Sequence, residues 1–314
     1  MHSQKSTNKT LYMKFNFNPL RVSVAAFAIV VAFGCGDNKK PAIPEEKTVD
    51  KMESLDPEKA AIFKVGDEII SIPSPVQTAF LLKKSGVSFR SDMLNSPKNL
   101  PSYSTKFQRS VNLGVYGADL GYTTIYGQTA DAINFINSTK RLADDLGVTN
   151  AFNPDLMKRF DANMGVQDSL LKIMGDAYKE SNRFFQDSEQ QDVGALVLSG
   201  GWIEALYFTT VVAKNDGPES VRTRIAEQKG SLENLIKLLQ QNAEEEEVAE
   251  FVSELIDLYY LFDQVESTYV WKEPTTDETT KTTTIKSTTE ALITDEQINA
   301  ISAKVESIRN HIIG

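Results

Sequence analysis

The chain has 314 residues and carries 33 Lys and Arg against 43 Asp and Glu, a formal charge of −10. That balance excludes a phosphate-backbone partner such as nucleic acid, which needs clustered Lys and Arg. One cysteine, Cys35, rules out an internal disulfide, and two histidines, His2 and His311, leave almost no room for a Ser–His–Asp or Cys–His mechanism or a His-rich metal site. No cofactor-binding signature is present either: the sequence lacks Gly-x-Gly-x-x-Gly, Walker, Gly-x-Ser-x-Gly and Asp-x-Asp-x-Asp-Gly runs.

Residues 1–34 read as an export signal. Lys14 and Arg21 form a basic n-region, Val22–Phe33 a 12-residue apolar h-region, and Gly34 places a small residue before Cys35. Twelve helical residues span about 18 Å, too short for a hydrocarbon core of roughly 30 Å. The expectation is a lipoprotein signal peptide with Cys35 as the lipidated, palmitate-bearing N-terminus. Ala32 and Phe33 depart from the usual Leu and Ser or Ala of that motif, and Met13 is a second plausible start. Cleavage removes four bases and no acid, taking the formal charge from −10 to −14. Acyl chains on the cysteine, at about 0.8 kcal/mol per buried methylene, would anchor the protein to a membrane unaided. Residues 35–61 are polar, with Pro41 and Pro44, and read as a flexible tether. Acids soon after the cysteine resemble signals that send some lipoproteins to the cell surface, so the expected location is the outer membrane, facing periplasm or surface.

Residues 62–314 read as a single all-α domain, a bundle of seven to eight helices with a small C-terminal β-hairpin. An extended segment at 62–72 ends at Pro73 and Pro75, a helix at 76–84 stops at Gly86, and a proline-punctuated ordered loop runs from Ser91 to Ser104. Three- and four-residue apolar spacing predicts helices at 107–126 and 128–146, the latter stopped by Gly147. Asn153-Pro154 marks an N-cap opening a helix to about Met164. Further helices are predicted at 166–184, 190–213, 218–241 and 245–266, the last opened by the acidic run Glu244–Glu247, which suits the helix dipole. Ser267–Lys272 and Thr282–Ser287 are β-prone and flank a polar loop, predicting a hairpin at about 267–289 whose exposed threonines could carry O-linked sugars. Thr294 and Gln297 form a capping box for a final helix at about 295–313, with Ile298, Ile301, Val305, Ile308 and Ile312 in one stripe.

Two segments bring glycines, aromatics and one acid together: Gly114 to Tyr126, and Ser199 to Tyr207. Glycine inside a helix costs up to about 1 kcal/mol, so each run signals close approach of a backbone or of a ligand. Asp119 and Glu204, set among apolar neighbours, need partners if buried, and Lys140, Arg141, Arg159, Lys172, Arg183 and tyrosine hydroxyls are candidates. A structural ion pair answers that need. The sharper alternative is a ligand pocket for a cation or sugar lined by Tyr116, Tyr122, Tyr126, Trp202 and Tyr207.

The stretches Ile72-Pro-Ser-Pro, Asn112-Leu-Gly-Val-Tyr-Gly-Ala-Asp-Leu-Gly-Tyr and Gly200-Gly-Trp-Ile-Glu-Ala-Leu-Tyr resemble a group of uncharacterised helical lipoproteins of Gram-negative bacteria, over about half the mature chain. The resemblance implies an exported helical protein and brings no activity or catalytic residue. Helical iron-uptake lipoproteins similar to imelysin carry a Gly-x-His-x-x-Glu motif that is absent here. Three functions stay open: a membrane-tethered binding or scaffolding protein, a carboxylate-dependent glycan hydrolase using Asp119 and Glu204, and a purely structural lipoprotein. The second needs both acids in one open cleft; the third needs them buried and paired.

Overall fold

The computed structural model describes residues 61–314 except 66–67, 152–153, 164–165, 188–189, 215–216, 242, 278–281 and 285–287. The signal segment, Cys35 and the tether lie outside the described residues, as does the Asn153 cap. The architecture is all-α, with ten α-helices among the described residues and three small two-stranded sheets. The extended segment is a hairpin, β1 (Ala61–Val65) antiparallel to β2 (Glu68–Ile72). Ser74 and Gln77 form a capping box that starts α1 (Pro75–Lys84), and Gly86 closes it with φ +80°.

The loop that follows is ordered by two 3-10 turns, Ser91–Met93 and Pro97–Ser102. A second capping box, Thr105 with Gln108, opens the central helix α2 (Lys106–Ile125) one residue before the start that apolar spacing predicts. Around it run α3 (Thr129–Asp145), α4 (Pro154–Ala162), α5 (Gln167–Asp187) and α6 (Gln191–Ala213). By length and composition α6 could cross a membrane, its apolar window having a mean hydropathy of 1.5. However, 78 % of that window is buried inside the protein, and its neighbours on the chain's other helices account for its apolar character.

The single helix expected over 218–241 is two, α7 (Glu219–Ala226) and α8 (Lys229–Gln240). Gln228 sits at the break with its side chain committed inward: its Nε2 donates to Arg224 O at 2.9 Å and its Oε1 accepts from Trp202 Nε1 at 3.1 Å. Helix α9 (Glu246–Phe262) begins in the acidic run, as the dipole favours. The C-terminal β region differs from the expected hairpin. Strand β3 (Glu266–Val270) pairs with β6 (Thr288–Leu292), and a smaller outer pair, β4 (Thr275–Asp277) with β5 (Thr282–Thr284), forms beyond it. The Thr282 segment therefore pairs with its nearest upstream threonines instead of with Ser267–Lys272. Finally α10 (Asp295–Ile313) starts at the Thr294–Gln297 capping box and buries the predicted isoleucine and valine stripe.

Helix α2 is the hub. The largest hydrophobic cluster joins it to α1, α6 and the helices from α7 to α10, and two smaller clusters lie toward α3, α4 and α5. Glycines set how close α2 and α6 come: a Cβ on Gly114 would overlap Val197 O, and one on Gly200 would overlap Val111 O. Gly114, Gly200 and Gly201 thus serve backbone-to-backbone packing at this crossing.

Candidate functional site

The close crossing of α2 and α6 carries Asp119 and Glu204 to one point in the interior, where α10 adds Arg309. Both acids have no solvent exposure, and Arg309 is 6 % exposed. Arg309 holds Glu204 in a two-pronged ion pair, Nε donating to Oε2 at 2.6 Å and an Nη to Oε1 at 2.7 Å. The fork geometry of guanidinium and carboxylate makes this the stronger class of charge-assisted hydrogen bond. The same guanidinium also donates to Met93 O at 2.8 Å, and its face lies 4.2 Å from the centre of the Tyr207 ring. Asp119 accepts one bond from the backbone N–H of Asn95 at 3.3 Å.

A layer of neutral polar groups extends the cluster. Asn95 donates to Tyr103 Oη at 2.9 Å and to Asn112 Oδ1 at 3.3 Å. Asn112 donates to Ile312 O at 2.6 Å, and the Tyr103 hydroxyl to Ile313 O at 3.3 Å. These carbonyls belong to the last turn of α10, where a helix leaves its carbonyls without intrahelical donors. Side chains of α2 and the preceding loop therefore cap the C-terminal helix.

Burial pushes the Asp119 carboxyl well above the usual carboxylate range, the charge of Glu204 adds to the rise, and Arg309 opposes it. Burial raises Glu204 as well, with Arg309 pulling the other way. Burial alone would lower the Arg309 guanidinium, but Glu204 more than offsets this and Arg309 is held firmly charged.

The seven sequence candidates separate into different settings. Asp119 and Glu204 do meet, but their cation is Arg309 instead of Lys140, Arg141, Arg159, Lys172 or Arg183. Arg141 pairs with Asp145 and Arg159 with Asp176 at the surface. Tyr116 is buried toward α3 against Tyr103 and Phe135, its hydroxyl donating to Ser96 O at 3.0 Å. Tyr122 is buried among Phe89, Tyr126 and Phe208, where its hydroxyl accepts from the Arg90 N–H; Tyr126 is half-buried and donates to Val87 O. Tyr207 is half-buried against Arg309, while Trp202 is buried on Gln228. The expectation that the five aromatics line one open pocket with the two acids is thus corrected: their faces are used up in packing against different neighbours. A shallow depression of about 240 Å3, counting space open to solvent, touches only Trp202 of the seven and is otherwise bordered by residues such as Thr78, Thr209 and Arg224.

Arg309 is the residue that sequence reasoning missed. It lies 105 positions from Glu204, so no local pattern links them. A signal did exist: Ser302, Val305, Arg309 and Ile312 share helical spacing, which puts a cation on an otherwise apolar stripe. Among the described residues no cluster of three His, Cys, Asp or Glu side chains is arranged to hold a metal ion. No protein-family model, curated protein or solved structure matches the chain.

Proposed function

We propose that the chain is a lipid-anchored protein of the bacterial cell envelope, tethered to the outer membrane through Cys35, whose helical domain serves as a non-enzymatic binding or scaffolding module. The observation that carries the non-enzymatic part is the complete enclosure of Asp119 and Glu204 under Arg309. A glycosidase needs two carboxylates that reach a sugar and a water molecule across an open cleft. Here both are sealed and one is spent on an ion pair. The apolar h-region ending at Gly34-Cys35 supports the anchor, and the polar stretch after it supports a domain held away from the bilayer. The ligand or partner class stays general, because the depression beside Trp202 gathers only Arg224 among charged side chains and so points to no particular chemistry.

Expression of the full chain in a Gram-negative host fed labelled palmitate tests the anchor. The wild-type chain is expected to take up label and sediment with membranes, and Cys35→Ala to do neither. A wild-type chain that stays unlabelled in the soluble fraction overturns the anchor. Release of sugar from envelope glycans by the purified protein, abolished by Glu204→Gln, would overturn the non-enzymatic reading and restore the hydrolase.

A further inference from the structure

The buried cluster does not balance in charge if its groups ionise as they do in water. Asp119 on α2 and Glu204 on α6 would supply two negative charges, and Arg309 on α10 supplies one positive. The other titratable groups facing Asp119 are phenols, Tyr103 from the 3-10 segment and Tyr116 from α2 itself, and Asn95 and Asn112 are neutral. An unpaired buried anion is among the least favourable things a protein interior can hold.

Hydrogen bonding makes the same demand independently. Asp119 Oδ1 is buried and receives no donor from any described residue. The Glu204 carboxylate, buried in the same cluster, acts on Asp119 with its charge, and two ionised carboxylates have no proton to place between them. Both Glu204 oxygens already accept from Arg309, which favours Glu204 as the ionised member. One proton on Asp119 resolves both problems: it neutralises the excess charge and turns the orphan oxygen into a donor toward Glu204.

We propose that Asp119 is a proton-binding site, a neutral carboxylic acid in the folded protein that donates to Glu204 and so completes a neutral Asp119–Glu204–Arg309 triad clamping α2, α6 and α10. Folding then takes up a proton. An unfolded Asp119 ionises near pH 4, and the folded one holds its proton to higher pH. The stabilisation is fully present below the unfolded value and is lost as pH rises toward the folded one. Over that window the contribution of this site raises the unfolding equilibrium constant about tenfold per pH unit.

Asn at 119 mimics the protonated acid, since its amide can donate to Glu204 and its oxygen can accept from Asn95, but it cannot titrate. Urea unfolding of the full chain and of Asp119→Asn, each at pH 5, 6, 7 and 8, is the test. The ratio of the wild-type to the variant unfolding constant is expected to rise with pH across this series, by up to about tenfold per pH unit. A flat ratio, or one that falls with pH, overturns the proposal. Should Asp119→Asn fail to fold, calorimetric unfolding of the wild-type chain at pH 6 in two buffers of different ionisation heat counts protons directly. Release of about one proton per chain is expected, and release of none overturns the site.

Discussion

The crossing of α2, α6 and α10 and the threonine-rich arm between β3 and β6 sit at opposite ends of one physical scale. At the crossing, α2 is buried without interruption from Ser110 to Tyr116, and α6 from Leu198 to Leu206. In the arm, every described residue from Trp271 to Asp277 and from Thr282 to Thr284 is exposed, Trp271 at 67 %. At the crossing a single added atom meets backbone and a single lost charge strands its partner. The arm's strands have three residues each and bury nothing, so their pairing depends on local propensity alone. The arm is therefore free to change without disturbing the helix contacts.

Arg309→Ala is expected to break this contrast most strongly. It removes the cation from a cluster that keeps two buried carboxyls, frees Met93 O, and leaves Tyr207 without its stacked partner. Loss of one partner from a buried pair costs about 3–5 kcal/mol. Urea unfolding should show that loss as a shift in midpoint, and a change below about 1 kcal/mol would mean that the pair is not a main contributor to the crossing.

The glycines sharpen the comparison within the crossing itself, because similar residues on the same helix pair face different surroundings. A Cβ at Gly200 would overlap Val111 O, so Gly200→Ala must push α2 and α6 apart, at a cost of about 3 kcal/mol. Gly117, three residues beyond Gly114, has nothing within 4 Å of where its Cβ would lie. Gly117→Ala should stabilise the protein by about 0.5–1 kcal/mol through helix propensity. Opposite signs in thermal unfolding of the two variants are the expected outcome; the same sign in both would contradict the close approach of the two helices.

Much of this architecture was legible because local rules and global packing agree. The capping residues Ser74 and Thr294, the stops at Gly86 and Gly147, and the apolar stripe of α10 each announce an element, and each element is present. Boundaries failed where a side chain chose a distant partner: Gln228 breaks 218–241 because Trp202 and Arg224 O hold it. The glycine runs and the two acids could be singled out from composition, and the backbone-packing reading of the glycines is what the crossing shows. What stayed hidden was long-range. Arg309 faces Asp119 and Glu204 only because three helices converge, and Tyr116 and Tyr122 point to different clusters although they are six residues apart on one helix. Periodicity says which residues face inward, but it does not say which inward-facing residues meet.

The smallest effect is expected in the arm. Thr276 and Thr283 face each other across β4 and β5 with their hydroxyls 3.1 Å apart, and both are exposed. A cross-strand pair of this kind is worth about 0.2–1 kcal/mol to the hairpin that contains it. That energy reaches global stability only if the hairpin unfolds together with the core, and no described residue of β4 or β5 is buried against the helices. The double change Thr276→Ala and Thr283→Ala should therefore leave the urea midpoint within about 0.5 kcal/mol of wild type. Amide exchange in β4 and β5 should meanwhile become faster, since local opening there no longer breaks the threonine contact. A global loss above about 1 kcal/mol would show instead that the arm is coupled to the crossing, and would move the boundary of the stable unit out from α10 to include it.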